Sequence, residues 1–397
     1  MSSARRVLVC GIAVFVLSCA ARAAEPAVKP RARDLGVPFE GAPGPLNAIT
    51  DVAGVAVGQT TLVRGEGKLV VGEGPVRTGV TAIVPRGRAT NDDPVFAGVF
   101  DLNGAGELTG THWIEESGFL EGPMMMTNTH SVGAVHEGTI AWRVKQGSAD
   151  ATGYWWSNPT VGETWDGELN DINGFHVRQT DVFAALDSAK GGPVAEGNVG
   201  GGTGMICNGF KGGIGTSSRK LADAAGGYTV GVLVQCNCGR KPDLLVAGVP
   251  VGAELQGKGA REEDAGSILI VVATDAPLIG HQLKRLARRA SLGLARTGSR
   301  SGNGSGDLFL AFSTANPGAA NPKGLVQVTM LPNDRMNPLF AGVVQATEEA
   351  IVNAMVAAET MTGVNGYTVK ALPHEELRRV LKKYGRLVEP ASGRGGR

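Results

Sequence analysis

From Ile268 to Ala273 the chain reads Ile-Leu-Ile-Val-Val-Ala, an uninterrupted apolar run rich in β-branched residues. A strand built from it has no polar face, so apolar layers must cover it on both sides. That excludes a simple sheet with one wet face. The run is bounded by Asp264-Ala-Gly266-Ser267 on entry and Thr274-Asp275 on exit.

The rest of the chain supplies the covering layers. Residues 52–59, 79–84, 229–235 and 308–313 cluster β-formers between turn residues and read as further strands. Residues 180–189 read as a helix with Val182, Phe183, Leu186 and Ala189 on one face. Leu283, Leu286, Ala290 and Leu294 recur at helical spacing, with Pro277 where a first turn accepts it and Lys284, Arg285, Arg288 and Arg289 outside. Residues 338–361 read as a long amphipathic helix and 373–384 as a shorter one, while 131–136 and 139–144 suggest further strand and helix pieces. Residues 154–171 are aromatic and acidic, the shape of a functional loop. Strands separated by long helices argue for a layered α/β sandwich in one domain.

Composition is consistent with this. At 397 residues and 42% hydrophobic content the chain can bury a large core, and a formal net charge of +1, with its basic residues dispersed, leaves no footprint for nucleic acid. The basic helix face reads as a solvated surface or a subunit contact. Residues 198–215 are dense in glycine but contain no GxxxxGK[ST] and no well-placed GxGxxG, so they read as tight turns and not as a phosphate cradle.

The N-terminus has the form of an export signal: Arg5-Arg6, an apolar run over residues 7–17, then Ala21-Arg22-Ala23. Its apolar core is short for a bilayer span, although a membrane anchor is the alternative. Residues 1–23 are expected to be removed, giving a periplasmic or secreted product; Val16-Leu-Ser-Cys19 also resembles a lipoprotein cleavage site, which would place a lipid on Cys19. Residues 24–45 form a polar, proline-rich lead-in, residues 46–385 a single packed domain, and residues 386–397 a flexible tail. Beyond Cys10 and Cys19 the chain holds Cys207, Cys236 and Cys238. A bridge from Cys207 to one of the others is possible, but buried free thiols are the favoured reading. Without CxxC or His-x-x-x-His, a structural zinc site is not expected. The six histidines are scattered and read as packing or surface residues.

The Gly266-Ser267 pair admits a specific chemistry. The Ser267 hydroxyl can attack the preceding carbonyl, shift the acyl group from nitrogen to oxygen, and leave a new N-terminus once water cleaves the ester. The freed α-amine, with an unperturbed pKa of about 7.7–8.0, can then serve as base beside its own hydroxyl. On pattern alone the pair is equally an ordinary turn entering a strand.

Five segments together resemble the self-processing serine aminopeptidases, the L-aminopeptidase/D-amino-acid esterases and β-peptidyl aminopeptidases. They are Asn47-Ala-Ile-Thr-Asp51-Val, Arg77-Thr-Gly-Val-Thr-Ala-Ile, Thr127-Asn-Thr-His-Ser-Val-Gly133, Gly266-Ser267 with Ala273-Thr-Asp-Ala-Pro-Leu278, and Gly302-Asn-Gly-Ser-Gly-Asp307. The resemblance runs in order from about residue 36 to 385. It implies a four-layer αββα sandwich of the N-terminal-nucleophile-hydrolase type, and cleavage into residues 24–266 and 267–397, which stay packed together. It further implies Ser267 as nucleophile, Ser305 and Asp307 orienting its amine, Asn237 as oxyanion donor, and Glu163 as partner of the substrate's ammonium. Other readings of these residues are a turn for 304–307, a strand-end cap for Asn237 and a solvated loop charge for Glu163. Where the family commonly has Tyr, this chain has Trp165, whose indole cannot titrate and reaches a different place. It would mainly wall the pocket, as Trp155 and Trp156 could, unless those pack in the core.

The activity implied is an exported aminopeptidase or amidase that needs no metal or cofactor, acts on short peptides, amino-acid amides or esters, and assembles as a homo-oligomer. Acyl transfer to an amine by the same nucleophile, or binding without catalysis, are the alternatives. A Ser-His-Asp hydrolase is disfavoured because no GxSxG elbow is present.

Overall fold

The computed structural model describes residues 29–87, 93–147, 156–255, 257, 266–321 and 323–389. The export segment with Cys10 and Cys19, Tyr154, Trp155 and the last residues of the tail lie outside them.

The first half lays down β1 (Ala56–Arg64), β2 (Val76–Val84), β3 (Val95–Gly104), α1 (Thr111–Ser117), β4 (Phe119–Leu120), β5 (Met124–Asn128), α2 (Val132–Gln146), β6 (Thr160–Thr164) and α3 (Gln179–Asp187). A small hairpin, β7 (Ile206–Cys207) and β8 (Phe210–Lys211), precedes β9 (Gly213–Lys220), β10 (Thr229–Asn237) and the short α4 (Val251–Glu254). Then come β11 (Ser267–Thr274), α5 (Gly280–Arg296), β12 (Gly306–Ser313), α6 (Asn337–Val356), the pair β13 (Met361–Thr362) and β14 (Thr368–Val369), and α7 (His374–Lys383).

Two sheets stack. The smaller has the order β1-β2-β5-β6, and the larger β4-β3-β12-β11-β10-β9. β11 runs parallel to β12 and antiparallel to β10, at the middle of the larger sheet. Its side chains divide as the uninterrupted apolar run requires. Leu269, Val271 and Ala273 point between the sheets, meeting Ile83, Met124 and Met126 of the smaller sheet. Ile268, Ile270 and Val272 point outward, under Leu283 and Leu286 of α5 and Val343, Ala346 and Ala350 of α6. On the far side Val80, Ala82, Met125 and Val161 meet Val135 and Trp142 of α2 and Val182, Ala185 and Leu186 of α3. The result is the four-layer αββα sandwich. Burial of each large aliphatic side chain is worth about 1.5–3 kcal/mol, so the layers supply the main driving force.

A strand apolar on both faces does not fix its own register, because a one-residue slip exposes nothing apolar to water. Here a neighbour contributes the constraint. On β10, Gly231 stands opposite Ala273, and a Cβ there would come within 2.7 Å of the Ile49 Cα, so only glycine fits beneath that backbone.

Several boundaries differ from expectation. Residues 132–144 belong to helix α2, Ser131 ends the short 3-10 turn before it, and none of them forms a strand. The segment 154–171, expected as a loop, contains β6, every residue of which is buried. The lead-in packs against the body: Ala32 and Val37 are buried, and Arg33 pairs with Glu349 at 2.7 Å. Pro277 lies three residues ahead of α5, outside its first turn. On α5, Arg288 covers the Phe100 ring and Arg289 the Phe340 ring, while Lys284 pairs with Glu115 at 2.6 Å. This face is thus partly occupied within the chain.

Candidate active site

Ser267 is the first residue of β11, and strand pairing decides what stands beside it. On one side Asn237, the last residue of β10, is its register partner. On the other, parallel pairing sets Asp307 opposite Ile268, which brings the start of β12 to the same end of the sheet. The Gly306 N–H donates to Ser267 Oγ at 3.0 Å. Ser305 Oγ donates to Asp307 Oδ1 at 2.8 Å, and both residues are fully buried. Asn103 on β3 anchors the turn before them, its Nδ2 donating to the carbonyls of Gly302 at 3.0 Å, Asn303 at 3.3 Å and Ser305. The residues 304–307, read alternatively as a plain turn, therefore run from that anchored turn into a strand.

Asn237 is buried, and its Oδ1 accepts from the Ile206 N–H at 2.8 Å. With the oxygen end held there, Nδ2 is the end of the carboxamide able to donate to a developing oxyanion.

Glu163 comes from the other sheet. It sits on β6 and is 3% exposed, so it is not a solvated loop charge. Its Oε1 accepts from the Glu107 N–H at 3.0 Å and its Oε2 from the Thr129 hydroxyl. Gly106 links it to the surroundings of Ser267. A Cβ on Gly106 would stand 3.0 Å from Glu163 Oε1 and 3.2 Å from the Gly306 Cα, the residue whose N–H holds Ser267. Burial pushes the Glu163 carboxyl above the usual carboxylate range, and the Thr129 and Glu107 hydrogen bonds only partly offset this. A carboxylate in that position gains most from an incoming cation.

Trp165 follows β6 and is partly exposed, set edge-on to His130 with ring centroids 5.7 Å apart, while His130 stacks on Phe175 at 6.2 Å. These rings form an aromatic wall beside Glu163. Trp156 lies elsewhere on the surface, edge-to-face with Trp113 of α1, so neither core packing nor the wall accounts for it.

The expectation of buried free thiols is corrected for two of the three. Cys207 and Cys236 form a disulfide, while Cys238, also buried, stands outside the bridge. The β7–β8 hairpin folds back over the end of β10 and leaves the two Cα atoms 5.7 Å apart, within bridging range. Local sequence does not announce that fold-back. Nor did it point to Asn103, Gly106, Thr129 or Ile206, each of which acts through a backbone or long-range contact.

Residues 47–369 match Peptidase family S58. The chain is 56% identical over 375 residues to the beta-peptidyl aminopeptidase BapA of Sphingosinicella microcystinivorans, covering 90% of this chain and 93% of that protein. Among solved structures it resembles the L-aminopeptidase D-Ala-esterase/amidase of Ochrobactrum anthropi, described as a prototype for the serine aminopeptidases and a variant of the Ntn hydrolase fold. The TM-score is 0.84 at 49% identity, covering 91% of this chain and 100% of that one. A Burkholderia sp. beta-aminopeptidase gives a TM-score of 0.82 at 49% identity, covering 90% and 99%.

Proposed function

Because the chain belongs to peptidase family S58 and is a serine aminopeptidase, we propose that it is made as an exported precursor, severs itself between Gly266 and Ser267, and then releases N-terminal β-amino-acid residues from short peptides and amides through an ester on Ser267. The site carries the reading: Ser267 Oγ bonded to the Gly306 N–H at the head of β11, Asn237 beside it, and the buried Glu163 across the gap. The β preference is drawn from the beta-peptidyl relatives.

In maturation Ser267 Oγ attacks the Gly266 carbonyl carbon, the C–N bond breaks as the ester forms, and water releases the Gly266 carboxylate. Ser267 then holds both a hydroxyl and an α-amine. In turnover the amine takes the hydroxyl proton while Oγ adds to the substrate carbonyl, and Asn237 Nδ2 donates to the resulting oxyanion. The same amine returns the proton to the departing nitrogen, and water cleaves the acyl ester. Ser305 and Asp307 orient that amine. Glu163 pairs with the substrate ammonium, which restricts attack to the residue bearing a free N-terminus. Trp165 walls the pocket. Export is supported by Arg5-Arg6, the apolar run behind it and Ala21-Arg22-Ala23, with removal near Ala23 or Ala24.

Denaturing electrophoresis and mass spectrometry of wild type and Ser267→Ala test the reading. Wild type should separate into two pieces with Ser267 at the new N-terminus and turn over a β-alanine amide faster than the α-alanine amide. Ser267→Ala should remain one chain with activity reduced by about 10⁴-fold or more. A variant that still splits, or retains turnover, overturns it. N-terminal sequencing of the large piece tests export, and retention of residues 1–20 rules it out.

A further inference from the structure

A carboxamide donates to an oxyanion only when the correct end faces it. Rotation of Asn237 by half a turn would present its carbonyl oxygen to the developing negative charge and replace attraction with repulsion. The Ile206 N–H prevents this, because it donates and only the oxygen end of the carboxamide can accept. Donor orientation therefore depends on how firmly Ile206 is held.

The hairpin bearing Ile206 is held to the end of β10 at three successive residues. The Ile206 N–H bonds Asn237 Oδ1, Cys207 is joined covalently to Cys236, and the Asn208 N–H donates to the Cys238 carbonyl at 2.7 Å. From behind, Lys211 Nζ lies within hydrogen-bond distance of the carbonyls of Met205 at 2.7 Å, Gly212 at 3.0 Å and Gly202 at 3.5 Å, and burial lowers its pKa to about 7. Lys211 is fully buried. A buried amine is costly to take out of water unless it is hydrogen-bonded, so Lys211 is held to the carbonyls around it. Its contacts in turn place the carbonyls it gathers, one of which belongs to Met205, the residue just before Ile206.

We propose that the Cys207–Cys236 disulfide and the buried Lys211 Nζ are positioning groups that lock the Asn237 carboxamide with its nitrogen toward the oxyanion. The inference rests on the assignment of Asn237 as oxyanion donor. Neither group touches substrate; both act through Ile206.

The test compares the double variant Cys207→Ala/Cys236→Ala, and separately Lys211→Met, in wild-type and Asn237→Ala backgrounds, with kcat and KM counted per processed protomer and thermal unfolding followed in parallel. Each brace variant should lose at least tenfold in kcat with KM within twofold. In the Asn237→Ala background the same changes should cost nothing further, since the orientation they protect no longer matters. A folded brace variant with wild-type kcat overturns the inference, as do equal losses in both backgrounds, the sign of a merely structural role. If Asn237→Ala alone leaves kcat intact, the fault lies in the oxyanion assignment. Should the variants fail to fold, wild-type protein produced in a reducing cytoplasm, with its thiols counted by mass spectrometry, takes their place. It should show the same loss of kcat, restored on oxidation, and full activity without the bridge would refute the proposal.

Discussion

The two sheets bring polar groups to one gap by different means. On the six-stranded sheet Ser267, Asn237 and Asp307 occupy adjoining strand ends, and their spacing follows from the backbone ladder. On the four-stranded sheet the carboxylate of Glu163 is held by the Thr129 hydroxyl and the Glu107 N–H, and burial raises its pKa. One sheet supplies geometry and the other a buried carboxylate, which under the proposed function would receive the substrate's ammonium. Bond making benefits from the first, since a misplacement of about 1 Å can cost roughly 100-fold in rate. Recognition of an ammonium requires the second.

Substitutions should separate accordingly. Asn237→Ala should lower kcat by about 10²–10³ with KM little changed, measured by steady-state kinetics on a β-amino-acid amide; a pure KM effect would erase the division between the sheets. Glu163→Gln should lower kcat/KM by roughly 10- to 100-fold, mainly through KM, because the neutral amide keeps the shape but not the attraction. N-acylated substrates, lacking the ammonium, should be equally poor for both proteins. Trp165→Phe should shift KM by roughly 2- to 10-fold with kcat nearly constant, as expected of a wall that loses part of its ring contact.

The smallest effect concerns Asp166, next to the wall. Burial raises its carboxyl to about 7, with the Thr78 and Asn170 side chains opposing the shift. The folded protein therefore keeps a proton that the unfolded chain loses above the ordinary carboxylate range. The contribution of Asp166 to stability should fall as pH rises through that window and level off above about 7. Asp166→Asn should flatten this slope in thermal unfolding recorded across the window, and an unchanged slope would show that Asp166 stays ionised.

What the sequence disclosed follows the physics of each element. β10, β11 and β12 were legible because burial on both faces leaves apolar runs with few competing readings. β5 was not, because Met124-Met-Met126 carries no β-branched signal, and β3 was missed as well. β6 read as a loop because residues 154–171 are aromatic and acidic; its strand form comes from parallel pairing with β5, a tertiary effect. The candidate residues Ser267, Ser305, Asp307, Asn237 and Glu163 were found by resemblance, and local pattern alone left each with an ordinary alternative. Asn103 and Ile206 act on residues far along the chain, so no local window could reveal them.

The order β4-β3-β12-β11-β10-β9 has a last consequence. A break before Ser267 assigns the two middle strands to one fragment and the strands flanking them on both sides to the other, as a tenon sits in its mortise. Such halves cannot drift apart without opening two seams at once. Once denatured, however, they would have to find each other by diffusion, so recovery of the severed protein would become a second-order process that slows on dilution, whereas an uncut chain would recover at a rate independent of dilution.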